Sequence, residues 1–158
     1  MEHEIKCSRY TLKIDAENLK YSVVLASGKT WTMTKRPYIL FSSGDVIEFP
    51  RPREIKVTKT GTYDGVRTYF DIPNTEISIM THVYVDRTTD DLIFEFRLDG
   101  DKMCEIENVA YPAPFDFGAR PGEGYTVLPR MQGTLVPAGT SVPCMRGSTV
   151  YPSPAFAP

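Results

Sequence analysis

An alternation of apolar and polar residues with a period of two is the feature that most constrains the fold of this chain. It is clearest in two consecutive segments, whose predicted core-facing residues are Ile77, Ile79, Thr81, Val83, Val85, Leu92, Phe94, Phe96 and Leu98. Glu95 and Arg97 are predicted to face solvent. Successive side chains of a strand point to opposite faces, so this pattern predicts strands with one buried face. No window of twelve residues keeps a helical period well.

Short segments of this kind follow one another between turn signals at a spacing of about eight to twelve residues, which is typical of an antiparallel β-sandwich. The predicted strands are Tyr10–Asp15, Lys20–Ala26, Thr30–Thr34, Tyr38–Phe41, Gly44–Phe49, Glu54–Gly61, Gly65–Ile72, Glu76–Asp86, Leu92–Leu98 and Met103–Val109. The turn at Ser27–Lys29 predicts a hairpin with Gly28 at positive φ. The sequence therefore predicts an all-β, antiparallel sandwich.

The composition changes after Val109, since nine of the thirteen prolines lie from Pro112 onward. Proline confines strands to sheet edges and ends, so only short strands are predicted there, at Tyr125–Pro129 and Gly133–Pro137. We expect residues 1–110 to form the sandwich body. Residues 111–158 are expected to be a Pro/Gly-rich segment of closing strands and ordered loops in the same domain.

Charge and cysteine content limit the partners and the compartment. The net charge is −2 and no run of Lys or Arg occurs, which argues against nucleic-acid binding. No apolar stretch approaches the roughly 18 residues that span a membrane, so no membrane partner is expected. The three cysteines are far apart and fit free thiols in a reducing cytosol. We expect a cytoplasmic protein.

The sequence carries no pattern typical of a metal site or a catalytic apparatus. His3 and His82 are the two histidines, and the cysteines lack metal-ligand spacing, so neither a metal nor a cofactor is expected. His82 lies in a predicted strand, where solvent exposure is the expectation. No motif around a nucleophilic serine and no phosphate-binding glycine loop leading into a helix is present. No catalytic residue is predicted, and the chain alone is not expected to be an enzyme.

Carboxylates are plentiful, but most of them fall on turns or predicted solvent faces, where solubility explains them. These are Asp64, Asp71, Glu95, Glu107 and Glu123. Asp116 differs because it lies between Phe115 and Phe117. Its carboxylate either accepts hydrogen bonds from the loop backbone or faces a polar ligand.

Three further residues are compatible with a bound sugar. Arg130 and Gln132 share a face if their segment is extended, and a guanidinium and an amide beside aromatic residues suit adjacent sugar hydroxyls. The alternative is that Arg130 pairs with a sheet carboxylate such as Glu107. Trp31, the sole tryptophan, either packs in the core or provides a platform for a sugar ring.

The order of residues from Asn108 to Pro137 resembles a pattern in bacterial glycoside-hydrolase-like proteins related to the endo-α-N-acetylgalactosaminidase group. The matching positions are Tyr111-Pro112-Ala113-Pro114-Phe115 and Leu128-Pro129-Arg130-Met131-Gln132-Gly133-Thr134-Leu135-Val136-Pro137. The resemblance implies a β-sandwich of the galactose-mutarotase-like "supersandwich" type that precedes a (β/α)₈ catalytic barrel. The catalytic carboxylates of such proteins lie on the barrel, so none is assigned to this chain. It also implies that this chain is an N-terminal fragment.

Three functions are compatible with the sequence. The first is a non-catalytic sandwich domain of a carbohydrate-active protein, packed on a catalytic barrel. The second is a stand-alone carbohydrate-binding module, and the third, which no constellation supports, is a small enzyme. The candidate carbohydrate-binding residues are Trp31, Tyr111, Phe115, Asp116, Arg130 and Gln132.

The expected partners are a carbohydrate ligand and a following catalytic domain. Self-association is a further expectation, because the aromatic residues from Tyr111 to Pro158 would form a large apolar patch if they were exposed together.

Overall fold

The computed structural model describes residues 1–100 and 105–116, together with the backbone of two short strands at 125–128 and 134–137. The strands are β1 (Glu2–Lys6), β2 (Tyr10–Asp15), β3 (Lys20–Leu25), β4 (Thr30–Met33), β5 (Tyr38–Phe41), β6 (Val46–Glu48), β7 (Glu54–Lys59), β8 (Tyr63–Asp71), β9 (Ser78–Asp86), β10 (Leu92–Asp99), β11 (Ile106–Ala110), β12 (Phe115–Asp116), β13 (Tyr125–Leu128) and β14 (Thr134–Pro137). No α-helix occurs in these described residues. The predicted all-β class is confirmed.

Every strand pair is antiparallel. A five-stranded sheet has the order β1-β2-β3-β4-β12, and a four-stranded sheet has the order β10-β9-β8-β7. A three-stranded sheet has the order β11-β5-β6. Gly28 has φ = 84°, as the predicted hairpin between β3 and β4 requires.

The chain divides into two compact units, Met1–Phe117 and Gly118–Pro158. In the second unit the described part is the hairpin of β13 and β14, in which Tyr125 pairs with Pro137 and Leu128 with Thr134. That residues 111–158 close the domain formed by residues 1–110 stays a prediction.

One hydrophobic core joins the inner faces of the large sheets in the first unit, which is the packing of a β-sandwich. β1, β2 and β3 contribute Ile5, Leu12, Ile14, Tyr21 and Val23, while β8 and β9 contribute Val66, Phe70, Ile79, Val83 and Val85. The predicted inner face of β9 is confirmed. Thr68 and Thr81, also buried there, hydrogen-bond to each other through their hydroxyls, which satisfies both polar groups in the apolar layer.

The inner face of β10 is only partly the core face that the sequence predicts. Leu92, Phe94 and Leu98 are half-buried, but Phe96 is 44% exposed. β10 is the edge strand of its sheet, so the side chains on its inner face have cover on one side only. Glu95 and Arg97 are exposed, as predicted.

The two phenylalanines of β10 should therefore differ in their contribution to stability. The Phe94 ring lies 5.6 Å from the Tyr21 ring and 6.1 Å from the Phe115 ring, measured between centroids. We expect Phe94→Ala to lower the free energy of unfolding by about 3 kcal/mol and Phe96→Ala by less than about 1 kcal/mol. Urea melts of the two variants check this, and equal losses would contradict the register of β10.

Candidate functional site

An apolar cleft of about 530 Å³ opens at the margin of the core, between the edge strand β10 and the β3, β4 and β12 strands of the other sheet. Its lining residues are Arg9, Tyr10, Val23, Leu25, Trp31, Leu92, Phe94, Pro112 and Phe115. The structure thus brings together Trp31 and Phe115, two of the six predicted carbohydrate-binding residues. Trp31 is half-buried opposite Val23.

The polar groups of the apolar cleft are largely engaged within the protein. The Tyr10 hydroxyl donates to the Asp90 carbonyl at 2.8 Å, and burial of this side chain raises its pKa. The Arg9 guanidinium lies 3.4 Å from the Thr89 carbonyl, to which it donates. A sugar needs several free donors and acceptors around its hydroxyls. The apolar cleft instead suits an apolar or aromatic surface.

Tyr111 lies inside the protein, where only 9% of it is exposed. Its ring stacks at 6.4 Å on Phe49 and meets Tyr21 edge-on at 6.3 Å, and its hydroxyl is 3.4 Å from the Tyr21 hydroxyl. Burial holds the Tyr111 pKa well above its usual range. Tyr111 thus packs as part of the aromatic core, and it does not line the apolar cleft.

The remaining candidates are not brought to the apolar cleft. Asp116 is exposed on β12, where it pairs in register with Thr32 of β4. Arg130 and Gln132 lie outside the described residues. The carbohydrate-binding role of the six candidates stays a prediction.

Asp64 is buried, which corrects its assignment to a turn or solvent face. It is 3% exposed. The Arg87 guanidinium donates to one carboxylate oxygen at 2.8 Å, and His3 Nε2 lies 3.1 Å from the other. Lys59 approaches at 3.8 Å. Burial tends to raise the Asp64 pKa, but the hydrogen bonds from His3 and Arg87 outweigh it and hold the pKa below its usual value. These contacts tie β1 to β8.

His82 is also buried, at 3% exposed, so the expectation of a solvent-facing histidine was wrong. It is on the outer face of its sheet, but Tyr84 stacks on its ring at 4.4 Å and Tyr63 covers it edge-on at 5.8 Å. Its Nε2 is 3.0 Å from the Thr58 hydroxyl. Burial lowers the His82 pKa, and the charge of Arg67 lowers it further. The neutral ring is therefore favoured near pH 7.

A second groove, of about 440 Å³, runs over the outer face of the β7–β10 sheet, and sequence reasoning did not identify it. Its lining residues, which define the arginine groove, are Arg53, Arg67, Tyr69, Ser78, Ile79, Met80, Arg97 and Asp99. The sequence does contain a signal for it. Arg67 and Tyr69 alternate out of phase with the core residues of β8, as Arg97 does in β10, so alternation alone predicts that each lies on the outer face of its strand.

Neither a metal cluster nor a membrane span is found in the part of the chain that the structure describes. Groups of three or more His, Cys, Asp or Glu side chains that could hold a metal ion do not occur there. A helix long and apolar enough to cross a membrane does not occur in that part either.

Comparison with known proteins identifies structural neighbours only. No family model and no curated protein matches the chain. Among solved structures, the chain is similar to the α-N-acetylgalactosaminidase NagBb from Bifidobacterium bifidum in complex with GalNAc, with 22% identity and a TM-score of 0.72. A quadruple mutant of that enzyme matches with 23% identity and a TM-score of 0.72. Its ligand-free form matches with 22% identity and a TM-score of 0.67.

The match covers 85% of this chain but 22% of the neighbour bound to GalNAc. The chain thus spans about a fifth of the length of the structures it matches. At this level of identity the similarity shows the fold, and the chain shares the fold of one part of a glycosidase.

Proposed function

We propose that this chain is the non-catalytic β-sandwich domain, of the galactose-mutarotase-like type, of a glycoside-hydrolase-like protein, and that it packs against a catalytic barrel. The observation that carries the proposal is the extent of the match, since 85% of the chain superposes on 22% of an α-N-acetylgalactosaminidase with a TM-score of 0.72. A fold by itself does not assign an activity, so the proposal also depends on the surfaces of the sandwich.

The apolar cleft supports a packing role. Trp31, Phe94 and Phe115 line it, and the exposed Phe96 lies on the same inner face of β10 as Phe94. Aromatic side chains at an open sheet margin supply the contact area that interfaces between domains use. The surface of the catalytic domain is the occupant that we propose for the cleft.

Two carboxylates of the sandwich, Asp64 and Glu95, support a non-catalytic role. Asp64 is engaged by Arg87 and His3. Glu95 accepts a hydrogen bond from the Tyr84 hydroxyl at 2.9 Å. A glycosidase needs two carboxyl groups facing each other across a bond, with room for a sugar between them, and these two carboxylates are committed to contacts within the protein.

The purified chain should therefore hydrolyse no glycoside. We expect no turnover of aryl glycosides, including the α-N-acetylgalactosaminide that the neighbour's name suggests. The measurement is continuous release of the aryl group, with Asp64→Asn and Glu95→Gln variants prepared in parallel. Turnover that co-purifies with the chain and disappears in either variant would contradict the non-catalytic role.

A stand-alone carbohydrate-binding module is the second candidate, because Trp31 and Phe115 line one cleft. It differs from the first in a measurable way. A binding module should bind galactose or N-acetylgalactosamine in calorimetry and lose this affinity in Trp31→Ala. The packing role predicts no such heat, since the apolar cleft offers few free polar groups.

A further inference from the structure

We infer that the arginine groove binds the carboxylate of an acidic sugar, such as a hexuronate, between Arg67 and Arg97. The sugar part of this inference depends on the proposed function, whereas the anionic part depends only on the charges in the groove. The arginine groove is separate from the apolar cleft, because the groove lies on the outer face of the β7–β10 sheet.

The backbone register places the two arginines around one spot. Tyr69, Met80 and Arg97 form one row across β8, β9 and β10, and Arg67 begins the next row, opposite His82. Arg67 and Arg97 are therefore two strands apart and two residues apart along the strands, about 12 Å between Cα atoms by ordinary sheet dimensions. Their long side chains can converge above Met80, where a small ligand would lie.

Arg67 is the main reason to expect an anion. Its Nε is buried and has no hydrogen-bond partner in the described structure. Because that Nε is closed to solvent, a ligand in the groove would meet the terminal nitrogens of the Arg67 guanidinium, and a carboxylate is the acceptor that matches such a fork best.

The neighbouring carboxylates are directed elsewhere, with one exception. Glu95, two residues from Arg97 on the same face, engages the Tyr84 hydroxyl at 2.9 Å and lies 3.7 Å from His82 Nδ1. Asp71 pairs with Arg53 at 3.2 Å. Neither Arg67 nor Arg97 has an ion pair among the described residues. Asp99 is the exception, since it lines the groove.

Asp99 should affect the binding of a carboxylate in the opposite direction from the two arginines, which can be tested. Its negative charge opposes an anion in the groove, while its oxygens, like the Ser78 hydroxyl, can accept hydrogen bonds from sugar hydroxyls. A ligand with both a carboxylate and hydroxyls fits this set better than a simple ion. Removal of the Asp99 charge should tighten binding of the carboxylate.

The test is isothermal titration of the 158-residue chain with glucuronate, glucose, acetate and sulfate at fixed ionic strength. We expect glucuronate to bind in the millimolar range or more tightly, and glucose not to bind. Arg97→Gln and Arg67→Gln should each lower the affinity for glucuronate about tenfold or more, as the loss of a charged hydrogen bond does. Asp99→Asn should raise the affinity for glucuronate by a few fold. Lys29→Gln, the same charge change in the β3–β4 turn, is the control.

Each other outcome overturns one part of the inference. If acetate or sulfate binds as well as glucuronate, the groove holds an adventitious ion only. If glucose binds as well as glucuronate, or if glucuronate does not bind, the carboxylate site is wrong. If circular dichroism shows that Arg67→Gln does not fold, the inference is tested by the other two variants. Arg97→Gln must then lower the affinity for glucuronate and Asp99→Asn must raise it. None of these results changes the expected lack of turnover, so the proposed function is tested separately.

Discussion

Replacement of Gly65 by alanine should be strongly destabilising, although it adds a single methyl group. A Cβ atom built on Gly65 would lie 2.3 Å from the carbonyl oxygen of Val83 and 2.4 Å from Cβ of Tyr84. Both atoms are on or next to the backbone of β9, so β8 and β9 would have to separate at the centre of their sheet. We expect a loss of about 3 kcal/mol or more in the free energy of unfolding, at the upper end for overpacking.

A matched glycine is available as the control. Gly61 lies two residues before β8, and a Cβ built there meets nothing within 4 Å. Gly61→Ala should change stability by less than about 0.5 kcal/mol. Urea denaturation of both variants gives the comparison. If Gly65→Ala is as stable as Gly61→Ala, the close approach of the two strands is wrong.

Loss of the buried Asp64 carboxylate should also lower the stability of the fold strongly. In Asp64→Ala, Arg87 and His3 lose their partner at 2.8 Å and 3.1 Å. Both partners are partly exposed, so we expect a cost of about 2–3 kcal/mol at pH 7, just below the range for a fully buried pair. Asp71→Ala is the control, because Asp71 pairs with Arg53 at the surface, where a pair contributes less than about 1 kcal/mol.

This cost should depend on pH in one direction. The folded-state pKa of Asp64 lies below its usual value because hydrogen bonds from His3 and Arg87 outweigh burial. A carboxyl group with a lowered pKa stabilises the fold fully above its unfolded-state pKa, about 3.9, and loses that contribution as the pH falls through the folded-state value. The difference between wild type and Asp64→Ala should therefore shrink below about pH 4. A difference that grows with acid would contradict the ion pair.

The fold was predictable because alternation reports which side of a strand is buried. Thr81 sits in phase with Ile79 and Val83, and it is buried as expected. The same rule failed for Phe96, because alternation gives the face of a strand but not whether another element covers that face. β10 proved to be an edge strand, and the position of a strand in its sheet depends on pairing between distant segments.

The candidate site was less predictable, for reasons that His82 illustrates. It lies out of phase with the core residues, which indicates an outer face, yet Tyr63 and Tyr84 bury it there. Cross-strand neighbours decide this burial, and they are known only once the register is known. The arginine groove was not predicted for the same reason, since Arg67 and Arg97 are thirty positions apart in sequence and line one groove only through the pairing of β8, β9 and β10.

The central claim, that the sandwich packs against a catalytic domain, is tested most directly by hydrogen–deuterium exchange. The exchange rates of the backbone amides would be compared between this chain alone and the same residues within a longer polypeptide that includes the barrel. We predict slower exchange in the longer protein for amides of β10, β12 and the Trp31 region around the apolar cleft, with β7, at the far edge of its sheet, unchanged. Equal rates around the apolar cleft in both proteins would contradict the claim.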